Sequence, residues 1–199
     1  MGVRTFGDFA RGILHRGEAL MAILPIRPYG DPVLQKSCLA VSNVDGKLME
    51  TIQSMLETLY TVPGIGIAAP QVGLNLRFFV YDMNRRAEKT GRSPVVLLNP
   101  EIIESEGSVT EDEGCLSFPG IFVPLPRHER IGVRGHDPDG RIIELSGSGL
   151  FSRLIQHEMD HLDGLLLRDR MTLWDRARLS VEMEKIKRKG NQSRRSRRG

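Results

Sequence analysis

Residues 156–162 read Gln-His-Glu-Met-Asp-His-Leu, so two histidines stand four residues apart with a glutamate directly after the first. On a helix that spacing puts His157 and His161 on one face, where both imidazoles can reach one divalent metal ion while Glu158 stands beside it. The chemistry implied is metal-assisted hydrolysis, with a carboxylate to move the proton. The same spacing also fits a partly exposed amphipathic helix with two solvated histidines, and a third ligand is what separates the two readings. A metal hydrolase needs three protein ligands and one open position. A histidine six residues after the second is excluded, because that position is Leu167. Glu182, on a following helix, is roughly in place but lies in a charged stretch. Cys115, in Glu113-Gly114-Cys115-Leu116-Ser117, offers a thiolate in a turn between strands where glycine lets the backbone come close.

The element that must position the histidines is a helix over about 149–163, opening in the apolar run from Leu150 and stopping near Gly164. Upstream, Asp31-Pro32-Val33-Leu34 reads as a capped turn. Asp45-Gly46 precedes Leu48, Ile52, Met55, Leu56 and Leu59, a stripe that predicts a core-facing helix ended by Pro63-Gly64. The small residues from Gly64 to Gly73 include Gly-x-Gly-x-x-Ala, but a helix precedes them where a dinucleotide fingerprint needs a strand. They read as a turn or as a backbone edge open to a ligand, with Gln71 as the polar handle. Leu76–Tyr81 and Val95–Asn99 predict buried strands around a charged loop at 84–94, and further strands are expected at 102–107, 130–136 and 141–146. Asp137-Pro138-Asp139-Gly140 is the turn between the last two. A final helix is expected over about 172–189. Helix, then strands, then helices gives an α+β fold: a single domain with antiparallel strands packed around a central metal-binding helix, and a C-terminal helix.

A chain of 199 residues is long enough for one domain with a sizeable core. Its net charge of +3 hides an asymmetry. Residues 185–199 hold eight of the 28 basic residues and no acid, which leaves 20 bases against 25 acids in the rest. Two cysteines, Cys38 and Cys115, fit a reducing compartment better than a disulfide framework. No apolar run is long enough to span a membrane. The first 20 residues lack the apolar core of a secretory signal, and Met21 reads as the start of the domain proper.

Three motifs, taken in order, resemble those of the peptide deformylase family. They are Gly-x-Gly-x-Ala-Ala-x-Gln at 64–71, Glu-Gly-Cys-Leu-Ser at 113–117 and Gln-His-Glu-x-Asp-His at 156–161. The resemblance covers about residues 21–172, leaving 1–20 as an N-terminal extension and 173–199 as a C-terminal helix and basic tail. It implies a cytoplasmic, monomeric enzyme that removes the N-formyl group from the N-terminal formylmethionine of newly synthesised polypeptides. The implied metal ligands are Cys115, His157 and His161, around one divalent ion; Fe(II) is favoured, and Zn, Ni or Co can substitute. Glu158 would carry the proton, while Gln71 and the Leu116 backbone N–H would stabilise the oxyanion. Ile65 and Gly66 would pair with the peptide backbone, Gly114 would also bind substrate, and Ile65, Leu150 and the His157 ring would wall a methionine pocket.

The resemblance also pairs Glu113 with Arg127 behind the Cys115 turn. Two positions depart from relatives: Phe122, where some carry arginine, and Arg153, where some are apolar and whose charge is expected to reach solvent. The basic tail suggests contact with ribosomal RNA, near which nascent chains emerge. The alternatives are a zinc endopeptidase and an RNA-binding protein organised around that tail.

Overall fold

The computed structural model describes residues 22–84 and 91–196. The N-terminal extension, Met21 and part of the charged loop lie outside the described residues. Seven strands run in chain order: β1 (Gly66–Ala68), β2 (Phe78–Tyr81), β3 (Val95–Glu106), β4 (Val109–Cys115), β5 (Phe118–Arg127), β6 (Arg130–His136) and β7 (Ile142–Ser148). Five form an antiparallel sheet in the order β1-β2-β3-β6-β7, and β4 and β5 form a separate hairpin.

Helix α1 (Gly46–Thr61) begins where the sequence predicts, with the Asp45 carboxylate accepting from the Leu48 N–H at 2.8 Å. Its stripe of Leu48, Ile52, Met55, Leu56 and Leu59 is buried against Phe78, Val80, Val96 and Leu98. The opposite face of the same strands, with Phe79, Tyr81, Leu97, Ile131 and Val133, packs on Leu154, Ile155, Met159 and Leu162 of helix α2 (Leu150–Leu162). Strand β2 is thus covered on both sides, which is why its sequence is a continuous apolar run rather than an alternation. Each fully buried aliphatic or aromatic side chain here stabilises the fold by roughly 1.5–3 kcal/mol. The site helix is therefore clamped to the sheet.

Several expectations need correcting. The runs 95–99 and 102–107 are one strand, β3, which stays paired through irregularities next to Asn99. Asn99 has φ 49°, and its side chain both donates to and accepts from the Val41 backbone at 2.8 Å. Strand β4 is acidic, and β5 buries Ile121, Val123 and Leu125 in alternation with exposed Phe122, Pro124 and Pro126. The final helix is broken. After α3 (Leu167–Arg170), α4 (Leu173–Arg178) ends at Leu179 and α5 (Ser180–Ser196) begins. Met183 and Ile186 of α5 pack with Tyr29, Phe118 and Val123. A Cβ on Gly30 would sit 2.5 Å from Lys187 Cγ, and one on Gly190 would sit 2.5 Å from Pro28 Cγ. The body of the protein therefore holds α5 as far as Gly190.

Candidate metal centre and active site

Cys115 ends β4, where the β4–β5 register shifts next to Gly114, and His157 and His161 occupy successive turns of α2. One ligand atom from each lies within 4.8 Å of the others. Cys115 Sγ is 3.2 Å from His161 Nε2, receives the Ser117 N–H at 3.4 Å, and faces Gln71 Nε2 at 3.7 Å. The Gln71 side chain is fixed from behind, its Oε1 accepting from the Ala68 N–H at 2.8 Å. Glu182, the other residue weighed as a third ligand, is exposed on α5, and Cys38 is not part of the cluster.

The site's electrostatics suit a cation. Burial pushes the Cys115 thiol up, but the charges of His161 and His157 outweigh it and hold the thiol well below its ordinary range, as a thiolate. Burial likewise pulls His157 down, and the Cys115 and Glu113 contacts reverse this in the metal-free site. Glu113 Oε1 lies 2.7 Å from His157 Nδ1; an ionised carboxylate only accepts, so Nδ1 carries the hydrogen and Nε2 is left for a metal. Glu158 is buried, with one carboxylate oxygen, Oε2, lacking a partner among the described residues, and burial pushes its carboxyl up to about 7. A thiolate, two imidazoles and an unsatisfied carboxylate fit a divalent ion and a proton carrier.

Behind the three candidate ligands lies a buried ionic network. Arg127 makes two hydrogen bonds to Glu113, at 2.7 and 3.0 Å, as expected, and a third to Asp160 at 2.7 Å. Arg153 is the correction. Its charge does not reach solvent: the residue is 6% exposed and pairs with Glu113 at 3.0 Å and Glu111 at 3.3 Å. Asp160, held by Arg127 and by Arg170 at 2.6 Å, was given no role from sequence, although its place inside the histidine motif was the available signal.

The residues expected to meet substrate fall on or next to β1, β4 and α2. Gly66 is on β1, an edge strand paired among the described residues only with β2, and a Cβ there would lie 2.6 Å from both Glu158 Oε1 and Leu154 Cδ1. Ile65 packs against the α2 core, and its carbonyl accepts from the Asp82 N–H at 2.9 Å. Gly114 lies under the ring of Phe122, which would sit 2.6 Å from an added Cβ. Leu116 is half-buried beside Gly64, and Leu150 is 58% exposed at the start of α2.

A sheet that clamps a helix bearing two metal-competent histidines and a carboxylate, completed by a cysteine from a hairpin, defines a metal-dependent hydrolase. The Polypeptide deformylase family model matches residues 23–177. The chain is 47% identical over 152 residues to the peptide deformylase of Thermodesulfovibrio yellowstonii, covering 76% of this chain and 91% of the relative. The crystal structure of peptide deformylase from Thermotoga maritima superposes with a TM-score of 0.69 at 44% identity, covering 75% of this chain and 98% of that one. The Legionella pneumophila peptide deformylase gives 0.77 at 35% identity, covering 84% and 96%. The chain belongs to the peptide deformylase family, and its reaction is removal of the N-formyl group from new polypeptides.

Proposed function

We propose that Cys115, His157 and His161 hold one divalent ion, with Fe(II) as the working metal and Zn, Ni or Co able to replace it. One thiolate with two imidazoles suits iron(II) and zinc alike, and the family resemblance favours iron. Such an ion supplies Lewis-acid charge and an acidified water at neutral pH. The chain's own residues do the rest. Glu158 takes a proton on its unpartnered Oε2 and delivers it to the leaving amine; the residue's burial beside the three ligand atoms is the observation that carries this reading. Gln71 Nε2 and the Leu116 backbone N–H donate to the developing oxyanion.

The peptide adds to the free edge of β1. Alternate residues of a strand aim their backbone groups at opposite edges, and the Ile65 carbonyl is turned to Asp82, so Gly66 supplies the outward pairing groups. Ile65 contributes its side chain, with Leu150 and the His157 ring, to the methionine pocket. Gly114 borders the peptide from the hairpin side. The enzyme acts as a cytoplasmic monomer on nascent chains, and the cations of α5 and the tail approach ribosomal RNA. No helix among the described residues is long and apolar enough to cross a membrane.

The test is formate release from a short N-formylmethionyl peptide by protein loaded with iron(II) without oxygen, or with zinc, and assayed for metal content. Stoichiometric metal and formate release from the formyl but not the acetyl peptide are expected. Cleavage of internal peptide bonds would favour the endopeptidase reading. Metal-replete protein that releases no formate would overturn the assignment.

A further inference from the structure

Helix α5 and the segment from Pro25 to Pro28 line a half-open cleft of about 520 Å³ that reaches Leu116, the neighbour of Cys115. That volume is in the range of small organic ligands. Its walls are set by the close contacts of Lys187 with Gly30 and of Gly190 with Pro28. Ile26, Leu116, Pro119 and Ile186 make an apolar lining, and three cations stand in it, Arg27, Lys185 and Lys189. The single acid in the lining, Asp31, accepts from the Val33 N–H at 3.2 Å as a helix cap. The Arg27 guanidinium lies over Gly73, where an added Cβ would sit 2.7 Å from its Nε and 2.8 Å from its Nη2, and the Nε is closed to solvent.

We propose that this cleft is a second ligand site, distinct from the metal centre, for a small amphipathic anion. The apolar body lies against Ile26, Leu116 and Ile186, and the single acidic head meets Lys185 and Lys189. Neither a simple inorganic anion nor a neutral alkane chain satisfies both halves of the lining. The site is coupled to the reaction centre by two short links. Leu116 is a wall of the cleft, and the Arg27 N–H donates to the Gln71 carbonyl at 2.7 Å. An occupant thus bears on both residues assigned to the oxyanion. This coupling rests on the deformylase reading, whereas the site itself does not.

The probe is octanesulfonate, whose head is a poor ligand for divalent ions, titrated calorimetrically into the metal-loaded full chain beside 1-octanol and inorganic sulfate. Binding is expected at a single site, with amide shifts at Leu116, Ile186 and Lys189, and at least tenfold weaker binding of octanol and of sulfate. The Lys185→Gln/Lys189→Gln double variant should bind at least tenfold more weakly with unchanged metal content. The Lys185→Arg/Lys189→Arg double variant should bind like wild type, which separates a charge effect from a folding effect. Octanol or sulfate binding as tightly as octanesulfonate, shifts centred on Ile65 and Leu150, or unaltered binding by the glutamine variant would each overturn the proposal. Formate release by the unliganded enzyme is measured alongside; its absence would count against the deformylase reading without touching the binding result.

Discussion

Glu113 Oε1 stands 2.7 Å from both His157 Nδ1 and Arg127 Nη2, so one buried carboxylate orients a proposed metal ligand and is itself held by a guanidinium. Glu113→Gln leaves the shape and removes the charge. Metal affinity should fall about 10- to 100-fold, read by competition with a chelator, while Arg127 and Arg153 lose their shared anion. Unchanged affinity would mean that His157 is oriented by packing alone.

Acid should expose the same group. Burial pushes the Glu113 carboxyl up, but the hydrogen bonds from His157 and Arg127 win and hold it far below the ordinary carboxylate range. A folded-state value below the unfolded one contributes stability that is fully present above the unfolded value, roughly 4.3, and is lost as pH falls below it. Thermal melts of metal-free protein between pH 7 and 3 should show that loss in wild type and a flatter profile in Glu113→Gln.

The two thiols should behave oppositely. Burial pushes Cys38 up to about 11, and the influence of Arg77 only partly offsets it. Cys115 is held as a thiolate. In metal-free protein at pH 7, iodoacetamide should therefore label Cys115 first, and metal should protect it. Cys115→Ser should sharply weaken metal binding, and Cys38→Ser should leave it near wild type; the reverse pattern would remove Cys115 from the ligand set.

Glu158→Ala should keep its metal and lose about 10²- to 10⁴-fold in kcat. Gly66→Ala is a subtler probe of the same carboxylate, since the added methyl meets Glu158 Oε1 and Leu154 Cδ1 at 2.6 Å. Overpacking of this kind costs about 1–3 kcal/mol, measurable by urea denaturation, with kcat falling while metal content is retained. Loss of metal in Glu158→Ala would make Glu158 a ligand instead.

The tail should divide at Gly190. Truncation after Lys185 removes Ile186 and the Lys187 and Gly190 contacts, and should lower the melting temperature. Truncation after Gly190 should spare formyl-peptide hydrolysis and weaken co-sedimentation with ribosomes at low salt. Unchanged co-sedimentation would leave the tail without a ribosomal role.

Much of this was legible in the chain. The stripe of α1, the two-sided run of β2 and the helical spacing of His157 and His161 are local patterns, and local patterns survive in sequence. The proposed third ligand, 46 residues from His161, was reachable only by residue type and resemblance. The burial of Arg153 was invisible, because it depends on Glu111 and Glu113 arriving from strand β4. Strand β5 was missed because its prolines lie where strands seldom carry them, on a hairpin that pairs with no further strand among the described residues.

The cluster draws one side chain from a hairpin outside the main sheet and two from a helix clamped to that sheet, so its three atoms converge only when both parts have folded and met. An ion that binds this arrangement and not the unfolded chain shifts the folding equilibrium by mass action, by about 2.7 kcal/mol when free metal is a hundredfold above its dissociation constant. Metal supply would then set how long the molecule survives in a cell, because a starved chain opens more often and meets proteases while open. Scarcity of the ion would lower the amount of enzyme as well as its activity.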